Sequence, residues 1–199
     1  MIRTAITLTC LIGLNAFAGC RTSGSSGGFE ILSSDETPEA AKLVQDANAD
    51  LKKIKVLYDE NEGKRQQIKT AMESDNKEEV KKIADGVVLT INDGFDFGKS
   101  AVDKIQQAED MKINDDYKEY LRLKESALMK QMEAFEQYRQ AARTLRDNYD
   151  PQNTQLRDKV KADFDTRSDN YQKLMETARN FSNQANELYK DTLRKQQEQ

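Results

Sequence analysis

The chain has 199 residues, a net charge of −4 and a charged fraction of 33%, with no His, no Trp and two Cys. Without His there can be no His-ligated haem, no Glu-x-x-His di-iron pair in a helical bundle and no Ser-His or Cys-His nucleophile, and two Cys are too few to replace His in the common zinc sites. The mixed, mildly acidic charge lacks the basic stripe that a nucleic acid selects, so the expectation is a non-enzymatic chain with no cofactor, no metal and no nucleic-acid partner.

Arg3 gives the first segment a positive start, and the run from Ala5 to Leu14 is apolar apart from Thr7 and Thr9. That run is far shorter than the roughly 20 apolar residues that span a bilayer. A charged start, a short apolar run and small residues beyond it mark residues 1–19 as a signal peptide. Phe17-Ala18-Gly19-Cys20 resembles the lipobox of bacterial lipoproteins, with Phe17 where Leu is usual. The resemblance implies that Cys20 is acylated, becomes the first residue of the mature chain and ties the protein to a membrane of the bacterial envelope. Arg21 follows the Cys where an Asp would alter sorting, which by the same resemblance implies the outer membrane, facing the periplasm, in a Gram-negative host. The alternative is cleavage after Ala16-Phe17-Ala18 by ordinary signal peptidase. That would start the chain at Gly19 and leave Cys20 as a lone thiol. Residues 20–36 read as a flexible linker, because Thr22 to Gly28 is a Ser/Gly-rich spacer.

From residue 37 to 199 the composition is that of long helices. The only prolines, Pro38 and Pro151, follow Thr37 and Asp150. Each pair predicts a capped helix start, since proline in the first turn loses no helical hydrogen bond. The first helix is predicted over Pro38–Met72 on Ala40, Val44, Ala47, Leu51, Ile54 and Tyr58, then Ile68 and Met72. Asn61 and Arg65 fall on that seam as a solvated or hydrogen-bonded polar layer. Ser74-Asp75-Asn76 predicts a turn, with Asp75 and Glu78 as a capping pair for a second helix. That helix runs to about Asp110 on Val80, Ala84, Val87, Ile91, Gly94, Gly98, Ala101, Ile105 and Ala108. The alternation of four and three continues through both glycines, which favours one helix over a break at Asn92-Asp93-Gly94. Asn114 caps a third helix carrying Leu121, Leu128, Phe135, Ala142 and Leu145, and a fourth starts at Pro151. Short connections force antiparallel neighbours, so the fold class is all-α: an antiparallel up-down four-helix bundle.

One internal stretch stands apart, Asn92-Asp93-Gly94-Phe95-Asp96-Phe97-Gly98-Lys99-Ser100. Gly98-Lys99-Ser100 suggests a phosphate loop, but Asp93 occupies the position of the required first Gly and no strand precedes it. Gly94 and Gly98 are read instead as a gap in the seam that Met132 or an aromatic ring fills. Phe95 and Phe97 flank that gap, and these four residues form the candidate partner or ligand face. The acidic groups at Asp75-Glu78-Glu79 and Asp115-Asp116 sit at helix starts, where the dipole accounts for them. The seven tyrosines are expected at seam edges with wet hydroxyls and no stacking platform. In outline the chain is similar to helical lipoproteins of bacteria held to bind the cell wall. Three readings stay open: a protein-interaction or structural module, a peptidoglycan-associated lipoprotein, and a bundle with a small apolar ligand.

Overall fold

The computed structural model describes residues 36–197. The signal segment 1–19, Cys20 and the linker up to residue 35 lie outside the described residues. Four helices follow in order: α1 (Thr37–Glu73), α2 (Lys77–Glu109), α3 (Asp115–Asn148) and α4 (Thr154–Gln197). They form the expected antiparallel up-down bundle, each helix packed on the next in the chain.

The helix starts depart from expectation in three places. Thr37 is already helical, and Glu36 stands at the cap position without a side-chain cap bond. Glu36 is tied across the bundle instead. Its N–H donates to the Lys112 carbonyl at 3.1 Å, and the Lys112 N–H donates to Glu36 Oε2 at 2.6 Å. Asp75 does not cap α2; Asn76 does, its Oδ1 accepting from the Glu79 N–H at 3.2 Å. Asp75 has the positive φ of 51°, because α1 ends in a Schellman turn. The Asn76 N–H reaches back to the Ala71 carbonyl and the Asp75 N–H to that of Met72. Pro151 does not open α4. Asp150 accepts the Asn153 N–H at 3.2 Å, so Asp150–Asn153 is itself a turn with proline at its second position. Asn153 then caps α4 by accepting from the Leu156 N–H at 3.1 Å. Asn114 caps α3 as expected, accepting from Tyr117 at 2.7 Å.

α2 runs unbroken through Asn92-Asp93-Gly94. A turn there would expose Ile91 and Ala101, which are 3% and 0% exposed. The largest fully buried side chains are Phe164, Ile68, Leu121, Leu145, Val80 and Val87, drawn from all four helices. Each contributes roughly 1.5–3 kcal/mol by leaving water.

The four sides are not alike. α1–α2, α2–α3 and α3–α4 pack with close backbones, but among the described residues no Cα of α1 lies within 8 Å of a Cα of α4. Side chains bridge that wider side. At the pole of the two hairpin turns, Lys161 Nζ donates to the Met72 carbonyl at 3.0 Å, and Asp75 faces Arg157 and Lys161 at 3.7 Å each. The Tyr149 hydroxyl donates within the same corner, 3.1 Å from both the Met72 carbonyl and Asp75 Oδ1. Burial, then the bond to Asp75, pushes the Tyr149 hydroxyl up to about 12.

Candidate functional site

The two seam glycines meet different neighbours. At Gly98 an added Cβ would lie 2.9 Å from the Met132 sulfur, so Met132 occupies the space that the missing side chain leaves. At Gly94 the nearest atom would be Leu57 Cδ1 at 3.7 Å, an ordinary contact. Beside Gly94 lies a cavity of about 10 Å³ lined by Ile54, Tyr58, Asn61, Thr90, Ile91 and Phe135 among others. That is room for about one water molecule.

Phe95 and Phe97 project to opposite flanks of α2, and both rings are half-buried. The Arg139 guanidinium of α3 lies 4.6 Å from the Phe95 ring centre, and the Lys53 ammonium of α1 lies 4.6 Å from that of Phe97. Each cation is held by a second bond. Arg139 donates to Asn92 at 2.9 Å and pairs with Glu136, and Lys53 donates to Asp50 Oδ1 at 3.1 Å. The geometry thus turns each ring's outer face into a charged one.

Asp50 is the residue that helical spacing missed. It is 5% exposed, while Leu51, taken as the seam position, is only half-buried. Asp50 Oδ2 accepts from the Ser100 hydroxyl at 2.8 Å and from Lys104 Nζ at 2.5 Å, and Lys104 also donates to the Ser100 oxygen at 3.0 Å. Burial alone would push the carboxyl up. The bonds from Lys104, Ser100 and Lys53 more than reverse this and hold it at about 2. The Ser100 of the Gly-Lys-Ser sequence is therefore one link of an α1–α2 clamp. Its proton points at a carboxylate already satisfied by two ammonium groups, so the trio joins two helices and does not form an activated nucleophile. The available signal was Asp50 lying three residues after Ala47 and four before Ile54.

A second polar group lies at mid-height. Asn61, Ser168 and Tyr138 are 6%, 4% and 3% exposed, and Asn61 Oδ1, the Ser168 hydroxyl oxygen and the Tyr138 hydroxyl have no hydrogen-bond partner. Arg65 pairs with Glu62 and lies 6.0 Å from the Tyr171 ring centre. Tyr138 and Tyr171 pack at 5.7 Å, and burial pushes both hydroxyls well above 10. The expectation of wet seam-edge tyrosines fails here and at Tyr149, because all three rings are large enough to fill the wide part of the core. Nor are the others unstacked: Tyr117 and Tyr120 stack at 6.0 Å, and Tyr120 meets Tyr189 at 6.2 Å.

Among the described residues no group of acidic or Cys side chains could hold a metal ion, and no helix is long and apolar enough to cross a membrane. Comparison with models of known families, with curated proteins and with solved structures finds no match.

Proposed function

We propose that the chain is a lipid-anchored, non-enzymatic protein of the bacterial cell envelope, whose helical bundle serves as a protein-interaction or structural module. The observation that carries this reading is the placement of Cys20 directly after Ala18-Gly19, at the end of a short apolar run with a basic start. The Ser/Gly-rich residues beyond Cys20 supply slack between an anchored acyl group and the bundle. Four long helices with mixed charge offer extended faces to a partner, and Phe95 with Arg139 and Phe97 with Lys53 are places where ring and cation are presented together. A Gram-negative host would place the protein on the periplasmic face of the outer membrane.

Association with peptidoglycan is the second reading. It is supported by the half-exposed series Tyr117, Tyr120 and Tyr189, since aromatic faces stack on sugar rings. A small apolar ligand finds little support, because the cavity beside Gly94 has room for about one water.

The anchor is tested by expressing Cys20→Ser in the native host. Release of the protein from membranes, with loss of labelled palmitate incorporation, supports the reading; an unchanged membrane fraction refutes it. The partner is tested by sedimenting the Cys20→Ser chain with purified sacculi. Saturable pelleting selects peptidoglycan, and its absence selects a protein partner.

A further inference from the structure

The bundle is fastened unequally around its circumference. The α2–α3 side is laced along its length. Arg122 donates to Glu109 at 2.7 Å and Gln106 to Glu125 at 2.6 Å near one pole, Arg139 to Asn92 at 2.9 Å in the middle, and Arg146 to Asp85 at 3.3 Å towards the other pole. The α3–α4 side is closed by small residues. Ala127, Ala134 and Ala141 follow Tyr120 at intervals of seven, and Tyr120 touches Tyr189 of α4, which places this stripe on the α4-facing side.

The α1–α4 side is fastened at the hairpin pole, by Lys161 on the Met72 carbonyl and by Asp75 facing Arg157 and Lys161, but it lacks the close backbones of the other sides. Among the described residues no Cα of α1 comes within 8 Å of a Cα of α4, and polar side chains stand between the two helices at mid-height. Tyr58 of α1 is hydrogen-bonded to Tyr171 of α4, the Arg65 guanidinium lies 6.0 Å from the Tyr171 ring centre, and Glu62 and Arg65 lie close to Tyr138 of α3. Asn61, which lines the cavity shared with α2 and α3, and Tyr138 and Ser168 each bury a polar atom with no protein hydrogen-bond partner. An opened bundle offers each of these atoms bulk water as a hydrogen-bond partner. α1 also has the least segregated polar and apolar faces of the first three helices.

We propose that the bundle opens along the α1–α4 seam, the α1–α2 and α3–α4 hairpins parting about the laced α2–α3 side as a spine. The closed form is the ground state and the opened form a minor one that hydrates the mid-height layer. The corner formed by Asp75, Tyr149, Arg157 and Lys161 fastens one pole of the seam. The inference is independent of whether Cys20 carries a lipid.

Thiol exchange on the full chain tests this, with Cys10→Ser and Cys20→Ser removing the native thiols. Ser168→Cys places a near-isosteric thiol in the mid-height layer, and Ala127→Cys places one in the α3–α4 stripe that stays closed. Each variant's labelling rate in native buffer is referred to its own global stability from a urea melt. The expected result is that Ser168→Cys reacts roughly tenfold or more faster than global unfolding allows, with little urea dependence, while Ala127→Cys reacts only at the rate of global unfolding. Adding Asn61→Leu is expected to slow Ser168→Cys towards the global rate, because it removes an atom that gains from hydration. Equal labelling of both thiols at their global rates overturns the proposal. Fast labelling of Ser168→Cys that Asn61→Leu leaves unchanged also overturns it, since it marks local fluctuation of α4 alone.

Discussion

At Asp50 a single carboxylate collects three donors, two of them cationic, in a nearly closed space. Its folded value of about 2 lies below the ordinary 3.8, so the sign is that of a depressed acid. The stabilisation is complete above the unfolded value and is lost as pH falls through the folded one. Melting temperature is therefore expected to drop between about pH 4 and pH 2, with Asp50 accounting for roughly 2 kcal/mol of the loss. Asp50→Asn is expected to cost roughly 1–3 kcal/mol at neutral pH, by leaving Lys104 without its charge partner, and to flatten the acid limb of a Tm-against-pH curve. The two seam glycines part company in the same assay. Gly98→Leu overpacks against Met132 and is expected to cost about 1–3 kcal/mol; a Tm at or above the parent's would show that the Met132 contact does not constrain the position. Gly94→Ala meets only an ordinary contact with Leu57 and is expected to gain about 0.5–1 kcal/mol from helix propensity.

At the scale of elements, the helices were legible because their apolar residues keep an unbroken alternation of four and three. The same rule carried α2 correctly across Asn92-Asp93-Gly94, where local turn chemistry pointed the other way. The helix starts were less legible, for a physical reason. Asp-x-x-Asn and Asp-Asn offer two capping side chains within a few residues, and long-range bonds decide between them. Asp75 is drawn into the left-handed position because its carboxylate there meets Tyr149, Arg157 and Lys161; Asn76 is then free to cap α2. Asp75→Ala is expected to cost about 1–2 kcal/mol, combining a left-handed backbone that Ala tolerates poorly with the loss of those partners. Asp75→Asn, which tolerates that backbone, is expected to lose less. Urea melts of the two variants separate the contributions of conformation and charge.

Across the whole molecule, what the sequence pattern hid is the inequality of the sides. Periodicity places Asn61 and Arg65 on a seam but cannot say which helix they face, and the buried tyrosines Tyr138, Tyr149 and Tyr171 read equally well as edge residues. Those rings give the fold an alkaline limit. Burial raises all three hydroxyls, so the stability they confer is complete below pH 10 and is lost as pH rises through their folded values. A Tm plateau from about pH 5 to pH 10, falling on both sides, is the expected profile.

An even number of antiparallel helices brings the start of α1 and the end of α4 to one pole. A load applied between them acts across the helix axes and falls first on the α1–α4 side, where no Cα pair of the described residues comes within 8 Å. Such a pull peels the bundle one turn at a time and never strains all its contacts together, as a shearing geometry would. Held by its two ends, this fold is expected to behave as a zip fastener, yielding extension at low force and closing again when the tension is released, which pulling a single molecule by its ends would check.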